Sequence, residues 1–253
     1  KERWDNIAKP LGSLGVFEDI VCRIAAVQGT PDVDIGKRCA VVMCADNGVV
    51  CEGITQSDSS VTALCANEIA EGKSGVNVIA KSVCADVFAV DIGAAADTLA
   101  ENRKIAKGTK NIAVGSAMSI EEANAAISVG IDLAERCTTQ GYRIIVTGEM
   151  GIGNTTTAAA LSSVLLGLPP REVTGRGAGL DDTRLAKKIA VIERAVSVNK
   201  PDKNKPEELL AKLGGLDLIW WSFPIAELIS LIFSSFFLWR INRDIISKVP
   251  DHV

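Results

Sequence analysis

The sequence predicts an α/β fold, in which helices flank a parallel sheet, and two observations support this. Apolar runs alternate along the chain with amphipathic helical stretches, and short turn signals separate them. The apolar runs also lack polar alternation, which is typical of strands that are covered on both faces. With 253 residues, the chain is long enough to bury a large core as one large domain or two small ones.

Three apolar runs are the predicted strands: 39–44, 85–91 and 142–147. A polar or glycine-bearing turn follows each of them. Ligands of parallel α/β sheets usually bind beyond the carboxyl ends of the strands. These turns are therefore the expected place of a binding site.

Two predicted helices have clear start signals. Ser119 and Glu122 form a capping box ahead of a helix over 120–137. Pro206 opens a short helix after a polar linker. A further helical run, 157–166, follows the glycine loop described below.

A helix over 182–199 is predicted with Asp181 or Asp182 as its N-cap. Its apolar residues recur at intervals of four, three and four, and this spacing predicts one buried stripe: Leu185, Ile189, Ile192 and Val196.

Composition and charge restrict the function. The net charge of −4 leaves no basic excess for a nucleic-acid backbone, so a small-molecule ligand is expected instead. The single histidine, His252, stands next to the last residue, so neither a Ser-His-Asp triad nor a zinc site is expected. The seven cysteines are odd in number and form no Cys-x-x-Cys pair, which predicts buried reduced thiols and a cytoplasmic protein.

The composition changes after Leu218. No glycine follows this residue, and an apolar run over 218–239 is interrupted only by Pro224 and Glu227. Three interpretations are open: a buried or poorly packed helical tail, a segment that is not the native continuation of the domain, and a membrane anchor. The interior proline and glutamate disfavour the anchor. A change of reading frame would explain the second interpretation.

The strongest motif is the glycine loop over 148–156, directly after the third predicted strand. Backbone N–H groups at a helix N-terminus form an anion site. A phosphate would repel Glu149, so its expected partner is a sugar hydroxyl, an N–H group or a developing cation. The alternative is a tight turn with a solvated glutamate. Thr156 and Asn67 stand where a dinucleotide fingerprint and a P-loop, respectively, would require glycine.

A second glycine loop, 175–179, precedes the helix over 182–199. With Lys187 or Lys188 on that helix, it could form the other wall of an anion pocket; the alternative is a flexible connector with exposed lysines. Asp46 follows the first predicted strand, where it suits a ligand site or an ordinary Asp-Asn-Gly turn.

Several motifs, in order along 1–218, carry a resemblance to a known family: Lys9-Pro10 with Gly12-Ser13-Leu14-Gly15, Ala45-Asp46-Asn47-Gly48-Val49, Glu52-Gly53, Val61-Thr62, the 148–156 loop, Gly177, and Gly214-Gly215-Leu216-Asp217-Leu218. With these motifs the chain resembles the nicotinate-nucleotide:dimethylbenzimidazole phosphoribosyltransferase family.

The resemblance implies a Rossmann-like α/β domain over 31–217, expected to be incomplete, and a helical segment of a small domain over 1–30. The change in composition marks 218–253 as an atypical apolar tail. It implies transfer of the phosphoribosyl group of nicotinate mononucleotide to 5,6-dimethylbenzimidazole or a related base, in cobalamin lower-ligand synthesis. The leaving pyridine already carries a positive ring nitrogen, so neither a metal nor a cofactor is expected. A homodimer is also implied.

The resemblance assigns Gly151, Gly177 and Lys188 to the phosphate, Glu149 to the ribose and reacting centre as the catalytic residue, and Ser57 to the benzimidazole pocket. The remaining expected substrate-binding residues are Asp46, Asn154 and Thr155.

The chain departs from the family at several positions. Asn47 stands where members often have histidine, and Cys65 stands where some have glutamine, so the choice of base is open. No residue inherits the general-base glutamate that follows the matched region in the family. The alternative function is therefore a catalytically inactive protein that binds a nucleotide or a benzimidazole.

Overall fold

A computed structural model of the protein describes residues 1–216 and has the α/β fold that the sequence predicts. Within those residues, a four-stranded parallel sheet has the order β3-β2-β1-β4. Its strands are Arg38–Ala45 (β1), Ala85–Gly93 (β2), Glu101–Asn102 (β3) and Ile144–Met150 (β4). The apolar run over 218–239 and His252 lie outside the described residues, and so do Asp217 and Leu218.

The three predicted strands are confirmed, but the third lies further along the chain than predicted. Tyr142 closes the turn after a helix, donating its N–H to Cys137 O, so β4 begins only at Ile144. At its other end, the pairing with β1 continues through Glu149, which lies opposite Met43. The first residues of the predicted glycine loop are therefore strand residues. β3 has two residues, and no pattern in the sequence predicts it.

Within residues 1–216, two helices precede β1, two lie between β1 and β2, one lies between β3 and β4, and four follow β4: Glu2–Asp5 (α1), Val16–Gln28 (α2), Ser60–Ala70 (α3), Gly75–Ser82 (α4), Ile120–Thr139 (α5), Asn154–Leu166 (α6), Pro170–Val173 (α7), Asp182–Asn199 (α8) and Pro206–Leu213 (α9). A short 3-10 helix, Gly48–Glu52, follows β1. The capping box of α5 is present: Glu122 N–H donates to Ser119 Oγ at 3.1 Å, and Ser119 N–H donates to Glu122 Oε2 at 2.8 Å.

The predicted buried stripe of α8 is only partly correct. Ile192 is fully buried, but Leu185, Ile189 and Val196 are only partly buried. The buried line lies on a neighbouring face instead: Lys188, Val191, Ile192, Ala195 and Asn199. This difference arises because two polar side chains, at the start and the end of that line, bond to groups inside the protein.

Both faces of the sheet are covered. Residues of β1 and β2 pack with α5, α6, α8 and α9 in the main core, and the opposite face packs against α3 and α4. Leu216 is buried in the main core, close to Gly93 of β2. A Cβ on Gly93 would lie 2.5 Å from Leu216 Cδ1. The last described residues are therefore integral to the core.

None of the seven cysteines forms a disulfide within residues 1–216, but the prediction that they are buried is right for only three of them, Cys39, Cys44 and Cys137. Cys51, in the 3-10 helix, and Cys84, in the turn after α4, are exposed. Cys39 and Cys137 are buried with their sulfurs 3.8 Å apart, and burial is the main cause that raises the pKa of Cys39 to about 12.

The N-terminal segment is helical, and its contacts with the sheet are few. Lys9 and Glu18 form an ion pair at 2.7 Å, and Glu18 also accepts the Leu14 N–H group. None of the thirteen residues of α2 is fully buried, and Phe17 and Val27 are exposed. The division into a segment over 1–30 and a domain over 31–217 stays a prediction. No helix within residues 1–216 is long and apolar enough to cross a membrane.

Candidate functional site

A cleft of about 290 Å³ opens at the carboxyl ends of β1 and β4. Three chain segments and the side chain of Lys188 form its walls: 54–57, 150–155, 176–180 without Gly179, and Lys188. This is the edge of the sheet at which the sequence predicts a binding site. The two glycine loops therefore face each other across one cavity.

The first wall turns from β4 into α6, and its shape depends on Gly153. This N-cap residue has φ +90°, which residues with a side chain rarely adopt. A Cβ here would lie 2.8 Å from Val50 Cγ2 and 3.2 Å from Asn47 Cβ. Only glycine permits this close turn, which directs the N-terminus of α6, with its partial positive charge, toward the cleft.

Lys188 supplies the positive charge of the cleft. Its side chain is 1% exposed, and its Nζ donates to Thr155 Oγ1 at 2.8 Å and to Gly175 O at 3.2 Å. Both acceptors are neutral, and no ion pair to Lys188 occurs among the residues that the structure describes. Burial lowers its pKa. A buried cation without a counterion is an anion site by its electrostatics.

The second wall is held by polar contacts on both sides. Gly177 has φ +55°, and a Cβ there would lie 3.0 Å from Thr155 Oγ1 and 3.5 Å from Lys188 Nζ. Arg176 donates to Leu180 O at 2.9 Å and forms an ion pair with Asp182 at 2.5 Å. The absence of a side chain at Gly177 thus leaves the space in front of Lys188 open.

A direct contact connects the walls at their edge. Gln56 Nε2 donates to Gly179 O at 2.6 Å, which joins the segment after the 3-10 helix to the second glycine loop. Neither Gln56 nor Arg176 is among the site residues that the sequence predicts. Their only signals in the sequence are their neighbours, Ser57 and Gly177, since no periodicity marks either residue.

Six of the eight predicted site residues line the cleft: Ser57, Gly151, Asn154, Thr155, Gly177 and Lys188. Glu149 lies next to the lining on β4. Burial raises the pKa of the Glu149 carboxyl group, and a hydrogen bond from Asn154 partly opposes this effect. Its catalytic role stays a prediction.

The second residue outside the lining is Asp46, which is buried at the end of β1. Its Oδ2 accepts the Ala95 N–H group at 2.8 Å, and its Oδ1 has no hydrogen-bond partner within residues 1–216. Its role as a substrate ligand stays a prediction. The same residues contain no cluster of three or more His, Cys, Asp or Glu that could hold a metal ion.

The fold and the cleft define an α/β protein with a ligand site at the carboxyl edge of a parallel sheet. A family model described as a phosphoribosyltransferase matches residues 1–221. The chain belongs to this phosphoribosyltransferase family.

Similar proteins carry a more specific name. The nicotinate-nucleotide–dimethylbenzimidazole phosphoribosyltransferase of Desulforudis audaxviator is 45% identical over 222 residues, which are 86% of this chain and 63% of that protein. The protein of the same name from Acetivibrio thermocellus is 42% identical over 221 residues, with the same two coverages. The chain thus spans about 63% of the length of these relatives.

A solved structure confirms the fold. The crystal structure of CobT from Thermus thermophilus superimposes with a TM-score of 0.82 at 36% identity. The similarity covers 86% of this chain and 66% of that one.

Proposed function

We propose that the protein transfers the phosphoribosyl group of nicotinate mononucleotide to 5,6-dimethylbenzimidazole or a related base, giving α-ribazole phosphate and nicotinate. The observation that carries this proposal is the position of Lys188, a buried cation between two glycine loops. The names of the relatives, which are 42% and 45% identical, support the substrates.

The chemistry divides into three tasks. The 5′-phosphate binds at the N-terminus of α6 and near Lys188, which fixes the position of the ribose. The bond from C1′ to the nicotinate nitrogen then breaks, and that nitrogen becomes neutral by accepting the bond electrons. The ring nitrogen of the benzimidazole that carries no hydrogen forms the new bond to C1′, and the proton of the other ring nitrogen passes to a base.

Glu149 has properties that suit a group near the reacting centre. Burial raises the pKa of its carboxyl group, so the carboxylate binds a proton more readily than a solvated glutamate. A base that accepts the benzimidazole proton in this chain would be sought among Glu149, Asp46 and Glu52. Ser57, which lines the same cleft, is the proposed contact of the benzimidazole.

The test uses the full 253-residue chain with nicotinate mononucleotide and 5,6-dimethylbenzimidazole. Mass spectrometry of the products and calorimetric titration of the mononucleotide are carried out on the same preparation. Formation of α-ribazole phosphate and nicotinate supports the transfer reaction. Saturable binding without product identifies an inactive binder, and the absence of binding contradicts both functions.

We further propose that the protein acts in the cytoplasm as a homodimer. The resemblance to the family supports both statements. Analytical ultracentrifugation of the full chain tests the dimer, since a monomer at micromolar concentration would contradict it.

A further inference from the structure

Two buried side chains bond to the backbone of the same residue, Ile152, in the first cleft wall. The Ile152 N–H group donates to Thr62 Oγ1 at 3.1 Å, and Asn47 Nδ2 donates to Ile152 O at 3.3 Å. Thr62 is 0% exposed and Asn47 is 1% exposed, so both side chains are shielded from water, while Ile152 itself is half-buried. The Ile152 residue is thus fixed at both its donor and its acceptor.

The Asn47 amide lies between two groups. Its oxygen is 3.5 Å from the buried Thr157 Oγ1, whose hydroxyl donates at 2.8 Å to Asn154 O. The Asn47 nitrogen is the half of the amide that can donate, and it points to Ile152 O. The Asn47 side chain also packs below Gly153, where a Cβ would lie only 3.2 Å from Asn47 Cβ.

The two side chains come from separate parts of the fold. Asn47 follows β1, and Thr62 lies on α3, which covers the opposite face of the sheet from α6. Between them, Ile152 is flanked by Gly151 and Gly153, whose backbones are intrinsically free to rotate. The bonds from Asn47 and Thr62 therefore limit the conformations that this glycine loop can adopt.

We propose that Asn47 and Thr62 are positioning residues of the phosphate site. Neither lines the cleft. By holding the two peptide groups on either side of Ile152, they fix the direction of the backbone that leads into α6, and with it the N–H groups that would face a bound phosphate. The role of the site in binding a phosphate rests on the proposed function.

The decisive comparison is Thr62→Val against Thr62→Ser in the full chain. Valine keeps the shape of threonine and removes the acceptor, whereas serine keeps the hydroxyl. We expect Thr62→Val to weaken nicotinate mononucleotide binding about tenfold in calorimetric titration, and Thr62→Ser to bind within about twofold of the wild type. Asn47→Leu is expected to weaken mononucleotide binding about as much as Thr62→Val does. The double variant is expected to lose less affinity than the product of the two single losses, since both residues bond to the backbone of Ile152.

Amide hydrogen exchange of the free protein gives a readout that does not depend on the ligand. Thr62→Val is expected to accelerate exchange at Ile152, while the amides of β1 exchange as slowly as in the wild type. Slow exchange in β1 also shows that the variant is folded. If Thr62→Val does not fold, the rates of amide exchange at Ile152 and in β1 are compared between Asn47→Leu and the wild type instead.

The possible failures are distinguishable. A wild-type chain that does not bind the mononucleotide overturns the proposed function, and the positioning role with it, before any variant is compared. Binding by Thr62→Val equal to that of the wild type overturns the positioning role alone. Loss of binding in Thr62→Ser as large as in Thr62→Val also overturns it, because the hydroxyl would then not be the relevant group.

Discussion

Lys188 is the residue whose chemistry depends most on its surroundings. On an exposed helix face it would be an ordinary solvated lysine, but here the groups of residues 1–216 that accept its hydrogen bonds are neutral oxygens. We predict that Lys188→Ala weakens binding of nicotinate mononucleotide tenfold to a hundredfold. The reason is the loss of a charge-assisted contact that contributes about 1.5–3 kcal/mol. Calorimetric titration measures the change.

The neighbouring lysine is the matched control. Lys187 is exposed and does not line the cleft, so Lys187→Ala is expected to bind the mononucleotide as the wild type does. Equal affinities for Lys188→Ala and the wild type would remove Lys188 from the phosphate site.

The lowered pKa of Lys188 predicts a pH dependence of this difference. In the free protein, the ammonium group loses its proton at a lower pH than the ordinary lysine value of 10.5. The ratio of wild-type to Lys188→Ala affinity should therefore be largest near pH 7 and should fall as the pH rises toward 10.5. Titrations at pH 7, 8, 9 and 10 test this prediction. A constant ratio over the whole range would show that Lys188 keeps an ordinary pKa.

The pKa of Glu149 is shifted in the opposite direction from that of Lys188, and the shift predicts how stability depends on pH. Because burial raises its pKa above 4.5, the folded protein disfavours the carboxylate, and stability is lost as the pH rises from 4.5 through the folded-state value. We predict that Glu149→Gln has a higher free energy of unfolding than the wild type at pH 7, and that this advantage disappears near pH 4. Urea denaturation at both pH values measures it.

The same variant separates stability from catalysis. Glu149→Gln should retain phosphate binding and impair turnover in any complete, active version of the enzyme. Turnover equal to that of the wild type would reduce Glu149 to a structural residue of β4.

At the scale of the elements, the junction of β4 and α6 is the most constrained. We predict that Gly153→Ala lowers the free energy of unfolding by more than about 2 kcal/mol. A positive φ costs a side chain about 1–2 kcal/mol, and the new Cβ would also collide with Val50. The other end of α6 provides the control. Gly167 has φ +66° with nothing within 4 Å of a Cβ, so Gly167→Ala should cost only the backbone term.

Urea denaturation of both variants decides this prediction. A Gly153→Ala variant that is no less stable than Gly167→Ala would mean that Val50 and Asn47 move aside without cost. The cleft wall would then be less rigid than its geometry indicates.

The sequence could predict the elements that have strong local signals. The apolar runs of β1 and β2 are visible without tertiary information, and so is the capping box of α5. The predicted start of α6, at residue 157, lies three residues after the observed start at Asn154. The N-cap is Gly153 in a left-handed conformation, which is not a usual signal for a helix start. The predicted buried face of α8 is also partly wrong, since hydrophobic periodicity does not predict that a lysine is buried.

At the scale of the whole molecule, the sequence predicts the two glycine loops of the site but not the contacts that hold the loops in place. The first loop follows a predicted strand end and the second precedes a predicted helix, and these positions predict a cleft. A lysine on that helix predicts an anion as the ligand. The bond from Gln56 to Gly179 and the contacts of Asn47 and Thr62 with Ile152 join residues about 90 to 120 positions apart. No local pattern encodes such contacts, so they became visible only in the folded structure.

The final prediction concerns the residues after Leu218. The family match ends at residue 221, close to the change in composition at Leu218. We predict that this change results from a shift of reading frame. Translation of the coding DNA in the other two frames downstream of the Leu218 codon should then restore a continuation rich in small residues. Two frames without such a continuation, together with turnover by the 253-residue chain, would contradict the prediction.

The buried charge of Lys188 has a consequence for the lifetime of the protein. The fold keeps this ammonium group out of water, and no carboxylate within residues 1–216 pairs with it. A bound phosphate removes that penalty and stabilises only the folded chain. Proteases that degrade the unfolded chain would therefore encounter it less often when the mononucleotide is abundant. The supply of this metabolite would then set how much of the protein a cell retains, in addition to how fast each molecule works.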